Sequence, residues 1–341
     1  MATGTTIEIL DLRHFASHKL RHVLEAEGEL WRQRLHWDYR ASARLLMQYL
    51  DSHMLPGYAA LEADQPVGYV FSVYEETKAV IGEVFALPAP GAEIGAPEGP
   101  GPARAVENTL LRHLLELLVN SPQVERIESQ LLLHPSGSHA AIFREWGFEV
   151  FRRLYMVQAL RGHWTQPQAN LPAGLELRAW SEEDLAPAAR LICEAYRGHP
   201  DSMINDQYRT MHGSTRFLNN IVRYAGCGTF SAPVSHVVVD RTRREPVALI
   251  LGSRVSPQSG HITQLCVHPA YRRQGLARLL LSIAAFGFMR QGATEISLTV
   301  TEANAHAIEL YRQEGYACLH AFDASVWERR RNGECIRPTA R

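Results

Sequence analysis

One order of elements occurs twice in this chain, and that recurrence limits its possible folds more than any other feature. Pro66-Val67 and Pro246-Val247 lie 180 residues apart, and Gly147-Phe148 and Gly315-Tyr316 lie 168 apart. The 12-residue difference falls in a Pro- and Gly-rich loop of the first half, Pro88 to Pro102. The spacing predicts strands at Ile7 to Leu12, Tyr58 to Glu62, Val67 to Tyr74, Val80 to Leu87 and Arg126 to Leu133, with a helix from Arg104 to Val119. In the second half it predicts strands at Leu175 to Ala179, His236 to Asp240, Val247 to Arg254, Ile262 to Val267 and Glu295 to Val300. A helix carrying Leu276, Leu279, Leu280 and Ile283 on one face separates the last two. The result is an α/β chain of two tandem units: residues 1–161, a linker at 162–173 containing Pro167, Asn170 and Pro172, and residues 174–341.

The chemistry sits in the turn Arg272-Arg273-Gln274-Gly275-Leu276-Ala277, where a strand hands over to a helix N-terminus. Backbone N–H groups there have no partner within the helix, and the helix dipole adds positive potential, so the turn suits an anionic phosphate. Gly275 lets a ligand approach with no Cβ in the way, Ala277 keeps the first turn slim, and Arg272 and Arg273 add charge. Neither the lysine of a P-loop nor a G-x-G-x-x-G run is present.

The run Leu265-Cys266-Val267-His268-Pro269 followed by Arg272 to Ala277 resembles the acyl-CoA-binding motif of the GCN5-related N-acetyltransferase (GNAT) superfamily. Downstream, Asn304, Tyr311 and Gly315-Tyr316 follow the order of the second half of that signature. The resemblance implies two tandem GNAT-like domains, each with a mixed, mostly antiparallel central sheet flanked by helices. It also implies acetyl-CoA as co-substrate. By it, Leu265, Cys266 and Val267 hold pantetheine through main-chain atoms, Arg272, Arg273, Gln274, Gly275, Leu276 and Ala277 cradle the diphosphate, and Asn304 completes the cofactor site. Cys266 reads as an inert buried thiol.

The first half lacks these signals. Its loop GAEIGAPEGPGPA has prolines where N–H donors are needed and no paired arginines. Phe143 stands at the place of Tyr311 and Ser136 at that of Asn304, so the first unit reads as a degenerate, structural copy that packs on the catalytic one and walls its acceptor site.

Acyl transfer to an amine has two proton problems, loss from the ammonium and gain by the leaving thiolate. Tyr311 is at the family position of the general acid. His261, which opens the motif strand, is the candidate base, and a merely hydrogen-bonded strand-end histidine is the equal alternative. The stretch HITQLCVHPAYRRQG resembles the arylalkylamine N-acetyltransferase branch, with Thr263 in place of a second histidine; Gln264 cannot act as a base. Asp201, Asp206, Tyr196, Tyr208 and Tyr224, in the irregular region before Phe230, are acceptor-side residues or simply caps and core.

A net charge of −1 over 341 residues argues against a nucleic-acid binder. Five cysteines without a C-x-x-C pair indicate neither a disulfide framework nor a zinc site, and no apolar run spans a bilayer. His14, His18 and His22, four residues apart, read as a solvated helix face, since no acidic or Cys ligand joins them. The expectation is a cytoplasmic monomer or homodimer without metal that acetylates a small-molecule or peptide amine by direct attack. The rivals are a CoA-binding sensor and an O-acyl or longer-chain transferase.

Overall fold

The computed structural model describes residues 7–89, 91, 101–161, 166–168, 170–224 and 228–329. The first half runs β1 (Ile7–Asp11), α1 (Ser17–Leu35), α2 (Arg40–Asp51), β2 (Gly57–Glu62), β3 (Gln65–Glu75), β4 (Lys78–Ala86), α3 (Pro102–Asn120), β5 (Arg126–Gln130), α4 (Ala140–Glu145) and β6 (Glu149–Ala159). The second runs β7 (Leu175–Ala179), α5 (Leu185–Ala195), α6 (Asp201–Ile204), α7 (Met211–Arg223), β8 (Thr229–Phe230), β9 (His236–Asp240), β10 (Glu245–Arg254), β11 (Ser259–Val267), α8 (Leu276–Arg290), β12 (Glu295–Thr301), α9 (Ala305–Gln313) and β13 (Ala317–Glu328).

The two halves share one sheet rather than holding one each. Its order is β1-β2-β3-β4-β5-β13-β6-β12-β11-β10-β9-β7, with β8 on β10. At the seam the closing strands are exchanged: β6 of the first half lies against β12 of the second, and β13 lies against β5. These two strands also pair with each other, antiparallel. Most neighbours are antiparallel, and the parallel pairs are β4–β5 and β11–β12.

The sequence of β6, Glu-Val-Phe-Arg-Arg-Leu-Tyr-Met-Val-Gln-Ala, explains its central place. Leu154 and Met156 bury themselves in the core beneath α8, while Tyr155 enters a core on the opposite face built from α1 and α2. A strand buried on both faces carries apolar groups at successive positions. In β13, Phe322 points into the α1/α2 core while Trp327 packs on the α3 core.

Helix α8 presents Leu276, Leu280, Leu281, Ala284, Ala285 and Phe288 to Ile262, Ile296, Leu298 and Val300, the i, i+4 stripe expected of a helix on a sheet. Helix α3 repeats this in the first half with Leu110, Leu111, Leu114, Leu115 and Leu118. On the opposite face α5 and α7 cover β9 to β11. Among the described residues no helix is long and apolar enough to cross a membrane.

Two local readings need correction. The helical stretch before Leu55 is broken at His36, whose φ of 56° closes α1, and the chain reverses into α2. His14 falls in a 3-10 turn ahead of α1, so the three histidines do not share a helix; His22 bonds the Pro66 carbonyl at 2.8 Å. Much of the loop from Pro88 to Pro102 and part of the 162–173 linker, like Cys227 and Cys335, lie outside the described residues.

The segment after α6 docks on the first half through buried charges. Lys78 Nζ donates to Asp206 Oδ1 at 2.7 Å and to Glu128 Oε2 at 3.3 Å. The Asp206 N–H donates to Glu128 Oε1 at 3.1 Å. Asp206 is therefore a tether between the halves.

Candidate active site

Strands β11 and β12 pair only from Ser259 with Glu295 to Ile262 with Leu298. Beyond that point they part, while β11 continues to Val267 and β12 to Thr301. The backbone edge of β11 after Ile262 consequently faces a gap instead of a neighbouring strand, leaving N–H and C=O groups for a ligand to satisfy.

A β-bulge marks the same place. Leu251 pairs with Gln264 and Gly252 with Ile262, so Thr263 is the extra residue. The bulge changes which side chains share a face. Gly260 and Ile262 before it, and Leu265 and Val267 after it, face α8. On the other face His261 meets Trp37 and Tyr155, Gln264 meets Tyr196, and Cys266 joins the α5/α7 core. Burial pushes the Cys266 thiol up, which keeps it an unreactive thiol.

The turn at the top of β11 is open. Gly275 caps α8 with φ 80°, and a Cβ built there would meet nothing within 4 Å. No side chain caps this helix end, so its first N–H groups point at free space. Arg273 and Gln274 are exposed, Arg273 with φ 65°. Arg272 is placed otherwise than a pure phosphate ligand: Nη2 donates to the Ala195 carbonyl at 2.9 Å and Nε to that of Val267 at 3.2 Å. It ties the end of α5 to the end of β11 and adds its charge from there.

Tyr311, on α9, packs against the core beneath α8. Burial, with the nearby Asp201 charge adding to it, raises its phenol above the usual range. Among the described residues the hydroxyl has no hydrogen-bond partner. Asn304 caps α9 by accepting from the Ala307 N–H at 3.2 Å, and its Nδ2 lies 3.2 Å from His199 Nε2. His199 Nδ1 accepts from the Asp201 N–H at 3.1 Å, and Asp201 Oδ1 accepts from the Thr301 hydroxyl. Tyr196 and Tyr208 stack at 4.3 Å beside this group. Asp201 and Tyr196 thus lie close to Tyr311, with His199 and Tyr208 packed against Tyr196, whereas Tyr224 is exposed at 65%.

Residues 201–316 match the sequence model of the acetyltransferase (GNAT) family. Residues 201–316 are a GNAT domain. No curated protein matches the chain in sequence. In structure it is similar to a GCN5-related N-acetyltransferase from Sphaerobacter thermophilus, at 15% identity and a TM-score of 0.63, over 94% of this chain and 95% of the other. It is similar also to a tandem GNAT protein from the clavulanic acid biosynthesis pathway, at 14% identity and a TM-score of 0.57, over 95% and 98%. A third likeness is the glucosamine N-acetyltransferase region of a fungal multi-domain β-N-acetylglucosaminidase, at 12% identity and 0.58, over 96% of this chain and 38% of that one.

His261 of the GNAT domain is buried, 7% exposed. Its Nδ1 lies 2.9 Å from Ser297 Oγ. Ser297 donates to the Gly260 carbonyl and receives the Tyr155 hydroxyl at 2.8 Å. With the Ser297 proton on Gly260, His261 Nδ1 is the donor and Nε2 keeps its lone pair. Burial, with Arg153 adding to it, pulls its pKa down to about 4, so the ring is neutral at pH 7. Trp37, Arg153 and Tyr155 all come from the first half, which therefore walls the inner face of the gap. No sequence signal pairs them with it, because the strand exchange that brings β6 here leaves no local pattern.

The first half has the same parting, with different contents. Strands β4 and β5 pair only from Lys78 with Arg126 to Ile81 with Ser129, and Gly82 is the bulged residue. There, however, the exposed edge of β4 is met by the protein's own side chains. His134 Nε2 lies 2.7 Å from the Val84 carbonyl, and Glu107 Oε1 accepts from the Ala86 N–H at 3.4 Å. His134, His139 and Glu107 bring their ligand-type atoms within 4.8 Å of one another, and the Arg104 guanidinium stands among them, 2.8 Å from His139 Nε2. Helix α4 carries Phe143, which accepts from the Phe148 N–H at 3.0 Å as Tyr311 does from that of Tyr316 at 2.9 Å.

Proposed function

We propose that the chain is an acyl-CoA-dependent N-acyltransferase whose single working site lies in the second half, with acetyl-CoA as donor and a small-molecule or peptide amine as acceptor. The observation that carries this reading is the coincidence of the unpaired edge of β11 with the uncapped N-terminus of α8 at Gly275, with Tyr311 packed against the same core.

The groups fit such a donor. Bound acetyl-CoA supplies an activated thioester, while the chain supplies position and protons. Main-chain groups of Leu265, Cys266 and Val267 offer the hydrogen bonds of a missing strand. The N–H groups of Gly275, Leu276 and Ala277 and the charges of Arg272 and Arg273 serve the diphosphate. Asn304 fixes the start of α9 and so places Tyr311.

Chemistry then needs an amine whose nitrogen bonds the acyl carbon as the carbon–sulfur bond breaks. Tyr311 holds a proton at the gap for the departing thiolate; its raised pKa keeps the phenol protonated at neutral pH. His261, neutral and with a free Nε2, can take the amine's proton, though a pKa near 4 makes it a weak base. Its packing against Trp37 supports a positioning role equally.

The first half serves as wall and scaffold. Its own gap is filled by His134 and Glu107, and it has Phe143 where a proton donor would stand.

The test is an acetyl-CoA assay across amines, amino acids, aminoglycosides and peptides that follows both free thiol and the mass of the acylated product. Release of thiol matched by the appearance of one acetyl group on an amine supports the reading. Acetyl-CoA binding with no turnover on any acceptor would mark a sensor instead.

A further inference from the structure

Arg153, on β6, differs from every other partly or fully buried arginine among the described residues. Arg104, Arg126 and Arg216 each face a carboxylate. Arg34, Arg254 and Arg329 each hold main-chain carbonyls. Arg153 has neither. Nη1 donates to the Gln130 side chain, Nη2 makes a long 3.4 Å contact with Thr299 Oγ1, and the Phe322 ring lies 5.8 Å away. Its Nε is buried without a partner. A guanidinium removed from water normally finds an anion.

Its position says where that anion would come from. Arg153 pairs with Thr301 on β12, beyond the last rung that joins β11 to β12. It shares a face of β6 with Tyr155, two residues on, which stacks on His261. The bulge at Thr263 puts Gln264 on the His261 side of β11, and there a second buried donor, Gln264 Nε2, also lacks a partner. Asp201, an acidic group of the second half at this end of the gap, already accepts from Thr301. Two unfilled donors, one of them charged, therefore flank the inner face of the gap, opposite the α8 turn proposed for the cofactor.

We infer that Arg153 receives a carboxylate of the acceptor, with Gln264 as its neutral second donor. The acceptors are then amines that carry a carboxylate, amino acids in the simplest case, and the first half contributes the residue that selects them. This rests on the acyltransferase reading given above. The fork of the guanidinium matches a carboxylate in two parallel hydrogen bonds, and a simple cationic amine would leave it unfilled and repelled.

The experiment uses the full chain saturated with CoA and two matched pairs of probes: L-phenylalanine with phenethylamine, and L-lysine with cadaverine. In calorimetry the carboxylated member of at least one pair binds at least about tenfold more tightly than its decarboxylated partner. Arg153→Gln erases that preference and leaves CoA affinity unchanged, which also reports that the variant is folded; Arg153→Lys retains part of it. Equal or tighter binding of the decarboxylated members, no binding of any of the four, or a preference that survives in Arg153→Gln overturns the inference. Failure of wild type to bind CoA would instead overturn the reading beneath it.

Discussion

The rings of Trp37 and His261 stand 5.2 Å apart, centroid to centroid, although they belong to different halves of the chain. Trp37 closes the inner end of the gap over the imidazole, and exclusion of water is what lowers the histidine's pKa. The unfolded value is near 6.5 and the folded one about 4, so between these values the unfolded chain holds a proton that the folded chain does not. Stability is accordingly lost as pH falls from 6.5 towards 4, by about 3 kcal/mol in all. His261→Gln removes this slope. Urea unfolding at pH 7 and pH 5 should show the variant losing about 2 kcal/mol less than wild type over that interval; equal losses would place the histidine in a wetter site.

Glu27 has the opposite sign. It is fully buried in the α1/α2 core, where it accepts from the Tyr69 hydroxyl and from Trp31 Nε1. Burial, with Glu83 adding repulsion, raises its pKa to about 8. The folded state retains a proton that the unfolded state releases, so stability falls as pH rises from 4.5 through 8, on the order of 5 kcal/mol. Glu27→Gln keeps a neutral group of the same shape. Its unfolding free energy should therefore rise relative to wild type between pH 6 and pH 9, and a parallel pH profile for the two proteins would contradict the assignment.

The recurrence of elements and the glycine turn before α8 were legible in the sequence because both are local. A glycine at a strand-to-helix turn and the pair Gly315-Tyr316 are read from neighbours in the chain, and the structure puts φ 80° at Gly275 and φ 87° at Gly315. What was not legible depends on pairing across the chain. The alternation in Glu149–Ala159 marks a strand but does not say that its neighbour is β12, more than 130 residues away. Arg153, Tyr155 and Trp37 therefore reach the gap unannounced. The bulge at Thr263 was also hidden, since a one-residue register shift leaves no mark in hydrophobic period.

Strand exchange predicts that the halves are not independent. A protease site placed within residues 162–173 and cleaved after folding should leave two fragments that co-elute and melt in one transition, because β6 and β13 each close the other half's part of the sheet. Separation of the fragments under native conditions, each still folded, would show the exchange to be dispensable.

Tyr311→Phe keeps the ring that packs against the core beneath α8 and removes only the hydroxyl. Turnover should fall by at least about tenfold, with CoA affinity within roughly a factor of three and an unchanged melting temperature, since general acid catalysis is realised only as charge develops on sulfur. Unchanged turnover would leave water or the thiolate itself to manage that proton.

The chain should hold one donor site, at the parting of β11 and β12 and the turn at Gly275. Calorimetric titration of CoA into the full chain tests this directly. Wild type should bind one CoA per chain. Gly275→Glu, which sets a carboxylate into the open space at the α8 N-terminus, should bind none while still melting cooperatively, slightly below wild type because a side chain at φ 80° is strained. Binding of two CoA molecules per chain, or wild-type affinity in Gly275→Glu, would contradict it.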